Sequence, residues 1–152
     1  MMGAPDVPAH IFREDLFSGL PASAAQDFRA IESRVFYQGG STLFQRDQNA
    51  STLFVIHRGS VAVSISDGED GLAGSTAYSA GEILGLSAVV AGEPYQASAR
   101  TRELSEIGLV SRGDFLDFLS AHSDFVFRLV GFLSDDLTDA LDHLRALPPV
   151  QA

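Results

Sequence analysis

The residues best suited to hold a ligand lie in Gly81-Glu82-Ile83-Leu84-Gly85-Leu86-Ser87-Ala88. They continue past a Gly92-Glu93-Pro94 corner into Tyr95-Gln96-Ala97-Ser98-Ala99-Arg100. Glycine has no Cβ, so a turn bracketed by two of them lets backbone N–H groups come close to a bound anion. Other chemistry is poorly supplied. There is no cysteine, which excludes disulfides, thiolate-bound metal and thiol catalysis. His10, His57, His122 and His143 are spread out without metal-ligand spacing, and His57 stands alone where cupin-type metal chemistry needs clustered histidines. Gly85-Leu86-Ser87-Ala88 lacks the second glycine of a nucleophile elbow. Glu82 and Glu93 are the carboxylates nearest the turn, and capping and loop solvation are their expected roles. Asp67 to Gly74 is acidic and glycine-rich but lacks calcium-loop spacing, so it reads as a solvated hairpin tip. Enzyme activity is not expected.

The elements that must position this stretch are legible from periodicity. The 152 residues suit one domain able to bury a core without staples. Residues 1–10 read as a flexible leader without a signal peptide. Ile11 to Leu20 and then Ala22 to Ile31, opened by Pro21, read as helices, with Phe28 and Ile31 facing the core. From Val35 the period shifts from about 3.6 to about 2, which marks a β region. Ser41 to Phe44, Leu53 to His57, Val61 to Ser66, Ser75 to Tyr78 and Ser105 to Val110 read as strands. Leu53–His57 and Val61–Ser66 are expected to form a hairpin across Arg58-Gly59-Ser60. Ser111 and Asp114 are capping candidates for a helix carrying Phe115, Leu116, Phe118 and Leu119.

A last helix is expected over 123–147, followed by a 148–152 tail that Pro148-Pro149 opens. Val130, Leu133, Leu137, Ala140 and Leu144 follow the 3, 4 spacing of a heptad seam, which predicts a parallel homodimer. Phe125, Leu129 and Phe132 lie on another side and are expected to pack on the chain's own domain. The net charge of -10 repels phosphate backbones and anionic lipid, so direct nucleic-acid and membrane partners are not expected, and the expected location is cytoplasmic.

Phe36-Tyr37-Gln38-Gly39-Gly40, Leu43-Phe44, Leu53 to Val63, Gly81 to Gly85, Gly92-Glu93-Pro94 and the helix from Ser111-Arg112, in that order and spacing, resemble the cyclic-nucleotide-binding domain of the Crp–Fnr regulator family. The resemblance covers roughly Phe12 to Leu147. It implies a mainly β fold with flanking helices: a double-stranded β-helix, or jelly roll, of eight strands spanning 11–122. It also implies a phosphate-binding cassette and a long C-terminal dimerisation helix covering the pocket.

The resemblance implies a cyclic nucleotide as ligand. It also implies a glutamate for the ribose hydroxyl where Leu86 stands, and an arginine for the cyclic phosphate where Tyr95 stands. Leu86 accepts no hydrogen bond, and Tyr95 is uncharged near neutral pH. Each such contact is worth on the order of 1.5–3 kcal/mol, so losing both weakens binding by roughly two to four decades. The base-facing positions of the last helix correspond to Ala140 and Leu141, and Arg100 and Arg102 lie beyond the pocket strand's core. The expected pocket is lined by Leu84, Gly85, Leu86, Ser87, Ala88, Tyr95, Gln96 and Ala97. The expected function is a stand-alone sensor without a helix-turn-helix domain, with a degenerate cyclic-AMP site and a partner protein as output. Two alternatives stay open: the effector domain of a longer transcription regulator, and an interaction module that binds no small molecule.

Overall fold

The computed structural model describes residues 13–64 and 75–132. Two short helices, α1 (Arg13–Phe17) and α2 (Ala22–Ala30), precede the strands β1 (Ser33–Tyr37), β2 (Thr42–Phe44), β3 (Thr52–Arg58), β4 (Ser60–Ser64), β5 (Ser75–Ser79) and β6 (Ile83–Leu84). Helix α3 (Leu86–Ala91) interrupts the β region before β7 (Ser98–Thr101) and β8 (Ser105–Ser111). Helices α4 (Arg112–Ala121) and α5 (Ser123–Phe132) follow. The strands form two antiparallel four-stranded sheets, in the orders β1-β8-β3-β6 and β2-β7-β4-β5. This is a jelly-roll-like β architecture with flanking helices, as expected.

Each ribbon of chain runs through one sheet, turns a corner and continues in the other. The corners are residues 38–41, 59, 80–82 and 102–104, and hydrogen bonds tie neighbouring ones together. The Gly40 N–H donates to Thr101 C=O (2.8 Å), Arg102 N–H to Ser60 C=O (2.9 Å) and Gly81 N–H to Ile56 C=O (2.6 Å). The Thr101 hydroxyl donates to Gln38 C=O at 2.7 Å.

The expected hairpin between Leu53–His57 and Val61–Ser66 does not form: β3 and β4 belong to different sheets. Gly59 makes the difference. Its φ of 95° bends the ribbon, and a Cβ there would collide with the Ser105 side chain. β4 instead pairs with β5, from Ser60↔Ser79 to Ser64↔Ser75. The acidic stretch Asp67 to Gly74, with Ile65 and Ser66, lies outside the described residues.

β3 buries Leu53, Phe54, Val55 and Ile56 in succession, because the roll interior covers one face of its sheet and helices cover the other. β1 starts at Ser33, earlier than the change of period at Val35, because pairing with β8 extends to Ser33↔Leu109. On the helical side, Phe28 is fully buried as expected. It meets Phe17 edge-on at 5.2 Å, while Phe118 and Phe125 meet at 5.0 Å. Such pairs add about 0.5–1.5 kcal/mol each beyond burial. Ser111 caps α4 as expected, its hydroxyl accepting from Asp114 N–H at 3.2 Å. Phe125 and Leu129 are buried on the chain's own domain, also as expected.

Candidate ligand cassette

The cassette hangs from β6, which pairs with β3 through Val55↔Ile83 and Phe54↔Leu84. Gly85 (φ 83°) opens α3 and Gly92 (φ 72°) closes it, both in the left-handed region that suits glycine. The Gly92 N–H returns to Ala88 C=O at 2.8 Å. Between the two glycines, Leu86, Ala88, Val89 and Ala91 turn into the core.

Tyr95 is 2 % exposed. Its ring stacks on Phe44 with centroids 4.1 Å apart at 22°, and Phe54 completes the cluster. Its hydroxyl donates to the Thr52 carbonyl at 2.5 Å and accepts from the Thr52 N–H at 3.1 Å. Its backbone is held too: Tyr95 N–H donates to Gln48 C=O (2.9 Å), and Asp47 N–H donates to Tyr95 C=O (2.8 Å). Burial pushes the phenol pKa up, and the Thr52 backbone hydrogen bond opposes that shift. Gly85 has a second reason to be glycine, since a Cβ there would stand 3.1 Å from Tyr95 Cε1.

Of the eight expected pocket residues, Leu84, Leu86, Ala88, Tyr95 and Ala97 belong to the buried core cluster. Ser87 is half-buried and Gln96 is exposed. Arg100 is exposed on β7 and Arg102 is exposed in the 102–104 corner. Glu82 caps its own turn, Oε1 accepting from Ser79 N–H at 2.6 Å. Capping was expected of it, but the side chain is buried rather than solvated. His57 Nε2 sits 2.5 Å from Glu32 Oε2, and His122 Nε2 sits 2.9 Å from Asp27 Oδ2. Of the seam, Val130 is exposed on α5, while Leu133, Leu137, Ala140 and Leu144 lie outside the described residues, as do Ala140's neighbour Leu141 and the rest of the expected last helix.

Sequence reasoning missed Arg112. Its Nε donates to Val89 C=O at 2.8 Å, and its Nη2 would lie 2.8 Å from a Cβ on Gly92. A cation thus caps the C-terminal end of α3, where free carbonyls concentrate negative potential. Only Gly92 leaves it room. The sequence signal was faint: an arginine beside an N-cap does not show where its guanidinium reaches.

A short helix bracketed by left-handed glycines thus sits between strands of a jelly-roll-like fold. The family model for the cyclic nucleotide-binding domain matches residues 34–122. The chain belongs to that family. No curated protein matches it. Among solved structures, it is similar to the Thermus thermophilus catabolite activator protein, at TM-score 0.70 and 21% identity, covering 86% of this chain and 62% of that one. It is also similar to the N-terminal domain of a transcriptional regulator from Streptomyces coelicolor A3(2), at TM-score 0.68 and 20% identity, covering 90% and 94%. A third likeness is to the regulatory domain of Toxoplasma gondii PKA crystallised with cAMP, at TM-score 0.63 and 15% identity, covering 76% and 45%. The match therefore spans about three-fifths of the Thermus protein's length. No helix of the described residues is long and apolar enough to cross a membrane.

Proposed function

We propose that this chain is a regulatory sensor domain of the cyclic nucleotide-binding type whose cassette has lost the cyclic-phosphate clamp, and that it passes its signal through the helix begun by α5 to a partner protein. One observation carries the reading: Tyr95, which corresponds to the family's phosphate arginine, is buried with its hydroxyl committed to Thr52. Leu86, which corresponds to the ribose glutamate, is buried in the core. A cyclic nucleotide placed here would meet apolar side chains where its phosphate and ribose need charge. The proposed contact residues for whatever ligand the cassette accepts are Leu84 to Ala88 and Tyr95 to Ala97. A ligand that displaces Tyr95 would release the start of β3 and shift the population of α4 and α5 orientations through Arg112.

The proposed assembly is a homodimer through the seam that starts at Val130. Within a longer regulator the same domain would serve as the effector half.

Titration calorimetry with cyclic AMP and cyclic GMP tests the reading. No heat below millimolar nucleotide is expected, and submillimolar binding of either would overturn it. The core placement of five cassette residues favours a second reading, an interaction module that binds no small molecule. A small-molecule library screened by thermal shift separates the two: a hit abolished by Leu86→Asp supports the sensor.

A further inference from the structure

Among the described residues β1 is the end strand of its sheet, and Ser33, Arg34, Val35 and Phe36 are all exposed. Natural edge strands are usually guarded by proline, lysine or a bulge. β1 has no proline, lysine or bulge, its one charged residue is Arg34, and its register with β8 is unbroken over all five residues. Phe36 is 65 % exposed, and Leu104, in the neighbouring corner, is 64 % exposed. Large exposed apolar side chains grouped at one place mark an interaction site more often than isolated ones do.

The charge around them runs against that of the chain. The protein carries a net charge of -10, yet this strand and the neighbouring corners carry Arg34, Arg58 and Arg102 against Glu103 and Glu106, a local excess of one positive charge. Phe36 and Arg58 both pair in register with Glu106, so they share the outer face of the sheet. Arg34 Nη1 and Arg58 Nε lie 3.5 and 3.7 Å from the two oxygens of Glu106. One carboxylate is thus divided between two guanidinium groups, and Arg34 keeps charge to offer a partner. The corner bearing Arg102 and Leu104 abuts the end of β1: a Cβ on Gly39 would lie 3.1 Å from Glu103 Cα.

We infer that the edge of β1, unpaired among the described residues, is a docking site for an extended, acidic segment of a partner protein, which adds to the sheet as a further strand. Strand addition supplies main-chain hydrogen bonds, and same-face side chains supply specificity. Arg34 and Phe36 are two residues apart on one face, so the complementary motif is an acidic residue and an apolar residue separated by one position. The charges give partner selection and a salt-sensitive on-rate. The patch uses no cassette residue, so the inference does not depend on whether the cassette holds a ligand.

Fluorescence anisotropy with two labelled peptides, Glu-Thr-Leu-Thr-Glu-Thr-Leu and the same peptide with lysine for each glutamate, tests this on the full chain. The acidic peptide is expected to bind at least tenfold more tightly. Phe36→Asp should cut its affinity at least tenfold, Arg34→Glu should reverse the preference, and N-methylation of alternate peptide amides should abolish binding. Both substitutions are on exposed side chains, and an unchanged thermal melt confirms folding. Equal binding of the two peptides, or binding of neither, overturns the inference. So does light scattering that shows Phe36→Asp converting an oligomer to a monomer, since the occupant of the edge would then be a second copy.

Discussion

The Tyr95 hydroxyl holds both backbone groups of Thr52, 2.5 Å from its carbonyl oxygen and 3.1 Å from its nitrogen. One side chain therefore fastens the segment between α3 and β7 to the start of β3. Tyr95→Phe keeps the ring stacked on Phe44 and leaves the Thr52 groups without that partner. The expected cost is about 1–3 kcal/mol, read as a lower urea midpoint at unchanged m-value. A midpoint equal to that of the parent would show that water replaces the hydroxyl at no cost.

Burial raises the Tyr95 pKa above its ordinary value of 10.0. A phenol whose pKa is higher folded than unfolded binds more protons in the folded state. Its contribution is fully present below the unfolded pKa and is lost as pH rises through the folded one. Stability should therefore fall above about pH 10, and absorbance at alkaline pH should show one of the three tyrosines titrating late. Tyr95→Phe should remove that late transition and flatten the slope.

Supplying charge should create a nucleotide site. On the proposed correspondence, Leu86→Glu with Tyr95→Arg supplies the two side chains that the family resemblance implies, and a gain of at least about 100-fold in cyclic-AMP affinity is expected. The variant should be less stable alone and should melt higher when nucleotide is added. A folded double variant that shows no nucleotide-dependent shift would contradict the assignment of these two positions.

Val130 is 43 % exposed on α5. If it opens a dimer seam, Val130→Asp should halve the mass seen by light scattering at micromolar concentration without lowering the monomer's own melting temperature. An unchanged mass would move the interface elsewhere.

Gly108 lies on β8 beneath the Glu32 carboxylate, which a Cβ at that position would strike. Gly108→Ala should displace Glu32 from His57 and cost about 1–3 kcal/mol, measured by urea unfolding. Glu32→Ala in the same background should recover part of that loss, because the clash is gone.

Much of this was legible in the residues, for reasons that vary by position. Phe28 and Ser111 follow from helix period and cap chemistry, which are local. Gly59 was recognised as a turn, but a period of two is the same whether a strand folds back on its neighbour or bends into a second sheet. Only the close approach of Ser105, 46 residues later in number, decides between them. Tyr95 was legible as an uncharged residue of the cassette, and its grip on Thr52 was not, because that bond spans 43 residues of sequence. Arg112 and the Glu32–Gly108 contact were hidden for the same reason: each is a long-range fit between side chain and backbone that no local pattern announces.

The pairing of β1 with β8 has a consequence for how the chain is made. Ser33 meets Leu109, so among the described strands the first has no partner until the last has left the ribosome. At about 5–20 residues per second, the unpaired β1 and the apolar run of β3 wait for several seconds in a half-made protein. The domain cannot close from its N-terminal end, and truncation within Ser105–Ser111 should leave aggregation-prone strands rather than a smaller roll.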